Sequence, residues 1–152
     1  MDAFIPAQGD TVPGLIHDPS SCFAVADLRT VFDFAPFPGA PSGVYDAYVK
    51  QSVFPGCFAN GLPASQARVL AATQRPLATS ALADQSGVPA WQSIPSWAVV
   101  GTEDHVIPES DQVSMATNAN ARITKVDAPH LSMISDPDVV ARVIIRAARA
   151  SA

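Results

Sequence analysis

Apolar positions fall into two regimes that meet near Pro95. Ahead of it they come in short groups broken by Pro and Gly. Beyond it, apolar runs and helical stripes alternate in a regular order. Residues 97–100 form an apolar run ending in Val99 and Val100. Its length suits a strand covered on both faces. Residues 108–119 carry a helical pattern opened by Pro108, and 123–126 alternate as a second strand of the same kind. Ser135-Asp136-Pro137-Asp138 reads as a helix start, with a Ser cap, Pro in the first turn and an acid three residues on. Val139, Val140, Val143, Ile144 and Ala147 make the apolar stripe of the closing helix. Strands alternating with helices predict an α/β fold with a parallel sheet. Two strands alone make a poor sheet. The opening Ala3-Phe4-Ile5-Pro6 reads as the end of a third.

Between these core pieces the pattern is weaker. Residues 7–43 read as loop with brief helical turns, and 44–49 as a short helix. Residues 63–73 are a better helix, with Pro63 at the start and Ala67, Leu70 and Ala71 at helical spacing. Residues 76–83 read as another short helix and 84–94 as a connector. The expected organisation is therefore the end of a core strand (1–6), a helical cap or lid (7–94) and a C-terminal α/β core segment (95–152). The 14 prolines in 152 residues support a lid of short pieces. That share is nearly double the usual value of about 5%, and such regions often cover active sites.

Composition removes several classes of function. Hydrophobic residues make up 48% of the chain and charged residues 15%, enough for a packed core. Nine basic residues against 14 acidic ones, a net charge of -5 and no basic run exclude nucleic acid and anionic membrane as expected partners. No apolar run approaches the ~20 residues of a membrane span. No signal peptide is visible after Met1, so a cytoplasmic location is expected. Cys22 and Cys57 fit no metal spacing and read as a pair of satellite thiols.

Chemistry concentrates where the strands end. In open parallel sheets, ligands bind beyond the carboxyl ends of the strands. Asp104 lies just past the first strand, in Val99-Val100-Gly101-Thr102-Glu103-Asp104-His105-Val106-Ile107-Pro108. His130 lies just past the second, in Val126-Asp127-Ala128-Pro129-His130-Leu131. Adjacent strands sit ~4.8 Å apart, so the two side chains can meet. A carboxylate beside a histidine holds the ring in one tautomer and stabilises the imidazolium formed when it takes a proton. Glu103 competes for that role, but in extended backbone it points away from Asp104, and it reads as a solvated or capping acid. His17 and His105 read as surface or cap-contact residues. Trp91 and Trp97 read as packing, and Phe32, Phe34, Phe37, Tyr45, Tyr48 and Phe54 as the core of the cap, with some of them candidates for an acyl pocket.

Gly101-Thr102-Glu103-Asp104, Ile107-Pro108, Met115-Ala116, Asp127-Ala128-Pro129-His130 and Ser135-Asp136-Pro137 together resemble the C-terminal part of the α/β-hydrolase fold. The resemblance is to its small esterase and hydroxynitrile-lyase branch. Residues 74–97 resemble the return from that branch's helical cap, and 2–6 the end of the strand before it. The resemblance implies that Asp104 is the triad acid and His130 the triad base. It implies a Ser-His-Asp esterase with no metal or cofactor and a small-molecule ester as substrate. A lyase on the same scaffold, or a non-catalytic binding module derived from a hydrolase, is the alternative. The chain departs from the family in one large respect. The family's nucleophile sits in Gly-x-Ser-x-Gly upstream of the cap, and no such motif occurs here. The expectation is the second half of an enzyme, inactive by itself. It should associate with the N-terminal half of the fold or with a second copy.

Overall fold

The computed structural model describes residues 1–150; the last two residues of the expected 95–152 segment lie outside it. Two sheets organise the described residues. The core segment pairs β4 (Trp97–Gly101) with β5 (Arg122–Val126) in parallel, in register from Trp97↔Arg122 to Gly101↔Val126. The crossover is α4 (Glu109–Asn118). Its start is set by Pro108 and by Glu109 and Asp111 in the first turn, where the helix dipole favours negative charge. Ala116 is fully buried against Ala98 and Val100, so the small side chains let α4 lie close on β4.

After β5 come α5 (Ser132–Ser135) and α6 (Pro137–Ala150). Pro137 opens α6 as expected. Val140 and Val143 pack on Val99, Val126 and Ala128. Ile144, expected on the buried stripe, is 54% exposed. Two strands cannot cover a face wide enough to reach it. The same shortage corrects the reading of β5 as doubly covered. Arg122, Ile123 and Lys125 are exposed, whereas β4 is buried from Ala98 to Gly101. The opening segment forms no strand, but it lies against the other edge of β4, where the Asp2 N–H donates to Val99 O at 3.0 Å.

The region expected as a cap holds the larger surprise. Residues 44–49, expected as helix, contain β2 (Asp46–Val49). It pairs antiparallel with β1 (Phe32–Ala35) and with the two-residue β3 (Leu77–Ala78). Phe-Asp-Phe-Ala and Asp-Ala-Tyr-Val alternate at the period of a strand, and Ala47 and Val49 face the cap core. Helix α2 (Ala64–Thr73) matches expectation, while 76–83 divides into β3 and α3 (Thr79–Ala83). A short helix, α1 (Phe54–Cys57), carries Phe54 into a cluster with Phe32, Val31 and Ala59. Of the expected cap-core aromatics, Phe32 and Phe54 are buried, whereas Tyr45 is 43% exposed. Phe23 and Phe58, not anticipated, extend the cluster through ring contacts at 4.9–5.6 Å.

Cys22 and Cys57 are not thiols. They form a disulfide with a Cα–Cα distance of 5.9 Å. Spacing along the chain could not show this, because the bond joins the loop before β1 to the end of α1. No helix among the described residues is long and apolar enough to cross a membrane.

Candidate active site

The two loops that leave β4 and β5 on the same side bring Asp104 and His130 together. His130 Nδ1 lies 2.8 Å from Asp104 Oδ2. The acid is fully buried and the histidine side chain is 15% exposed. Asp104 is held from all sides. Its Oδ1 accepts from Val106 N at 2.7 Å and Ile107 N at 2.9 Å, and its Oδ2 accepts from Gln112 Nε2 at 2.8 Å. Gln112 also donates to Ile107 O, which locks it across the loop. Three N–H donors besides the histidine oblige Asp104 to act only as acceptor, as a carboxylate does. The proton in the fourth bond therefore belongs to His130 Nδ1. In the neutral ring Nε2 is then the nitrogen that can accept a proton from another group.

One neighbour of His130 is aromatic. The Phe58 ring meets the imidazole edge-on, with centroids 4.9 Å apart at 90°. Phe58 also lines a cavity of about 700 Å³ between the loops of residues 12–28 and the sheet of β1, β2 and β3. Phe23, Phe32, Phe54, Val49 and Leu82 make up much of its wall, and Arg75 and Gln74 are its polar members. The segments before β1 and after β2 are fastened to the acid's loop. Cys22 N donates to His105 O at 2.8 Å, the His105 ring lies 3.1 Å from Gly56 O, and Asn60 Nδ2 donates to Glu103 O at 2.7 Å. Glu103 and His105 are exposed and stand apart from the Asp104–His130 pair; His17 is exposed on the cap side.

Three neighbours of the pair escaped the sequence. Gln112 had a signal, a polar residue on the buried face of α4. Ser132 is fully buried and had none beyond its place two residues after His130. Asp2 is 4% exposed, bonds Gly101 N through Oδ1 at 2.9 Å, and shares a hydrogen bond with Ser132 Oγ through Oδ2. Burial raises its carboxyl above the ordinary 3.8. Asp104 adds to the rise, while the Ser132 and Gly101 hydrogen bonds and His130 oppose it. The folded chain thus binds this proton more tightly than the unfolded one. The associated stability is present below about pH 3.8 and is lost as pH rises through the raised folded value. Asp2→Asn cannot ionise. Its melting temperature relative to the parent should climb as pH rises from acid to neutral. A difference that stays flat or falls in a pH series of thermal melts contradicts this.

A pair of parallel strands with a crossover helix, whose following loops bring an acid and a histidine together, has the architecture of part of an α/β-hydrolase fold. The alpha/beta hydrolase family model matches residues 3–143, and the chain belongs to that family. No curated protein matches it. Among solved structures, a mutant of polyneuridine aldehyde esterase superposes with a TM-score of 0.70 at 15% identity, covering 96% of this chain and 59% of that one. An extracellular alpha/beta-hydrolase from a Paenibacillus species gives 0.67 at 18% identity, again over 96% and 59%. A pyrethroid hydrolase from Sphingobium faniae gives 0.60 at 16%, over 95% and 57%. The chain therefore spans less than three-fifths of the length of each.

Proposed function

We propose that the chain is the C-terminal portion of a carboxylic-ester hydrolase whose serine lies outside it. The observation that carries this reading is the 2.8 Å bond from His130 Nδ1 to a fully buried, fully engaged Asp104, which leaves Nε2 open. In the intact enzyme the serine attacks the ester carbonyl. His130 Nε2 takes the serine proton and passes it to the departing alcohol, giving an acyl-serine that water then cleaves by the same proton route. Asp104 holds the imidazole in the required tautomer and stabilises the imidazolium. The apolar wall that runs from Phe58 into the cavity favours an ester with a bulky hydrocarbon part. Polyneuridine aldehyde esterase and the pyrethroid hydrolase among the structural neighbours agree with this class of reaction. The Cys22–Cys57 bond favours an oxidising compartment over the cytoplasm expected from the sequence.

The same reading makes the open edge of the core a docking face for the N-terminal half of the fold or a second copy. The test compares the 152-residue chain with a version extended upstream to include a Gly-x-Ser-x-Gly segment. The extended protein should hydrolyse p-nitrophenyl acetate and label at serine with a fluorophosphonate. The isolated chain should do neither above free imidazole, and should sediment as more than a monomer at low micromolar concentration. Turnover by the isolated chain that vanishes in His130→Ala would refute the missing-nucleophile reading, and a cooperatively melting monomer would refute the docking face.

A further inference from the structure

Asp104 is fixed by Val106, Ile107 and Gln112 before it ever meets the histidine. The His130 side is held differently. Its ring touches Asp104 and the edge of Phe58, and its loop is tied to the acid's loop where Glu103 N donates to Ala128 O at 3.1 Å. A second tie comes from the far end of the chain. Asp2 is buried with a φ of 40°, a left-handed conformation that few side chains other than Asn and Asp adopt readily. From there its N–H reaches Val99 O, one carboxyl oxygen reaches Gly101 N, and the other reaches Ser132 Oγ. Gly101 is three residues before Asp104 and Ser132 two residues after His130, so one side chain joins both arms of the pair. The junction is tight. A Cβ on Gly101 would stand 2.6 Å from Ala128 O and 3.1 Å from both Asp2 Oδ1 and Pro129 O. Only a glycine allows the strand end, the histidine loop and Asp2 to converge.

We propose that Asp2 is a positioning residue of the site: by bridging Gly101 N and Ser132 Oγ it sets the orientation of the His130 loop, and so of the imidazole, against Asp104. It acts through those contacts and touches no reacting atom. Two other features agree. The Gly101 N–H faces away from β5, on the edge of β4 where the sheet supplies no acceptor, so Asp2 answers a need the sheet cannot meet. Ser132 Oγ donates to the second carboxyl oxygen while Gly101 N–H donates to the first, so both oxygens of the buried Asp2 side chain are engaged in the bridge.

The inference rests on the hydrolase reading only for its effect on rate, and the deciding measurement needs no turnover. Side-chain nitrogen NMR of the protein labelled at histidine reports which ring nitrogen of His130 carries the proton. The variants are Asp2→Leu, which keeps the shape and removes both acceptors, and Asp2→Asn, which keeps hydrogen bonding without charge. His130 should show the Nδ1–H tautomer in the parent and in Asp2→Asn. It should lose that single signature in Asp2→Leu, while the spectra of His17 and His105 stay put. Should Asp2→Leu fail to fold, Ser132→Ala removes the same bridge with one hydroxyl and should move the His130 signals in the same direction. An unchanged His130 spectrum in a folded Asp2→Leu protein, even one that melts lower, overturns the proposal and leaves Asp2 a packing residue. So does an unchanged spectrum in Ser132→Ala where Asp2→Leu does not fold. In the serine-bearing enzyme, Asp2→Leu should lower kcat about tenfold to a hundredfold with little change in KM, the scale of a displaced catalytic group. An absence of any turnover in the parent would defeat the hydrolase reading without touching the NMR result.

Discussion

Asp104→Asn should lower the ester turnover of the proposed serine-bearing enzyme by about 10⁴-fold while the chain stays folded. The reason is the count of donors. In the parent, Oδ1 faces the N–H groups of Val106 and Ile107, and Oδ2 faces Gln112 Nε2 and His130 Nδ1. An Asn amide has one oxygen and one NH₂ to place there. Two backbone N–H groups cannot turn into acceptors, so the oxygen faces Val106 and Ile107 and the NH₂ faces Gln112 and His130. His130 can answer only by accepting at Nδ1, which moves its proton to Nε2. The nitrogen that should take the serine proton is then already protonated. Gln112 also loses an acceptor in a buried place, so the variant should melt lower by an amount on the scale of a lost buried hydrogen bond, about 1–3 kcal/mol. Steady-state rates on a p-nitrophenyl ester and a thermal melt check both halves. Glu103→Gln, an exposed carboxylate one residue away, should leave the rate within a few-fold of the parent. A rate for Asp104→Asn within tenfold of the parent would mean that the bond is not part of the chemistry.

The disulfide carries the largest expected effect on stability. Cys22 and Cys57 are 35 residues apart. A bond closing a loop of that size stabilises the fold by roughly 4 kcal/mol in the chain-entropy account. Removing it through Cys22→Ala with Cys57→Ala should lower the melting temperature by on the order of 10 °C for a chain of this length. The location sharpens the expectation. Cys22 precedes Phe23 and Cys57 precedes Phe58, two walls of the apolar cavity, and the adjoining backbone grips His105. The cap should therefore loosen first, and protease should nick the loops around Cys22 before the core yields. Reductant should reproduce the shift in the parent and do nothing to the double variant. Melting curves of the parent that coincide with and without reductant, in a sample whose thiols have been counted, would show that the bond contributes nothing.

Much of the core was legible in the residues themselves, for a local reason. A strand, a helix and a second strand each announce themselves by spacing within about ten residues. Asp104 and His130 were legible because each follows directly on such a strand, and parallel strands must deliver their following loops to the same side. The resemblance to the family supplied the roles expected of them. The strands of the antiparallel sheet were harder. β1, β2 and β3 are two to four residues long and are stabilised by partners up to 32 positions away, as in the Asp46↔Ala78 pair. So short an alternation is ambiguous until its partner is in place.

The amino-acid sequence thus determined the order of the core elements, the two strand ends where an acid and a histidine emerge, and the family pattern they complete. Only the tertiary structure decided what surrounds them. Folding brings Asp2 to Ser132 across 130 positions, joins Cys22 to Cys57, and turns Gln112 onto Asp104 from the face of a helix. The physical reason is the same in each case. A buried carboxylate, amide or thiol finds its partner by position in space, and the spacing of residues along a chain encodes position only within a single element of secondary structure.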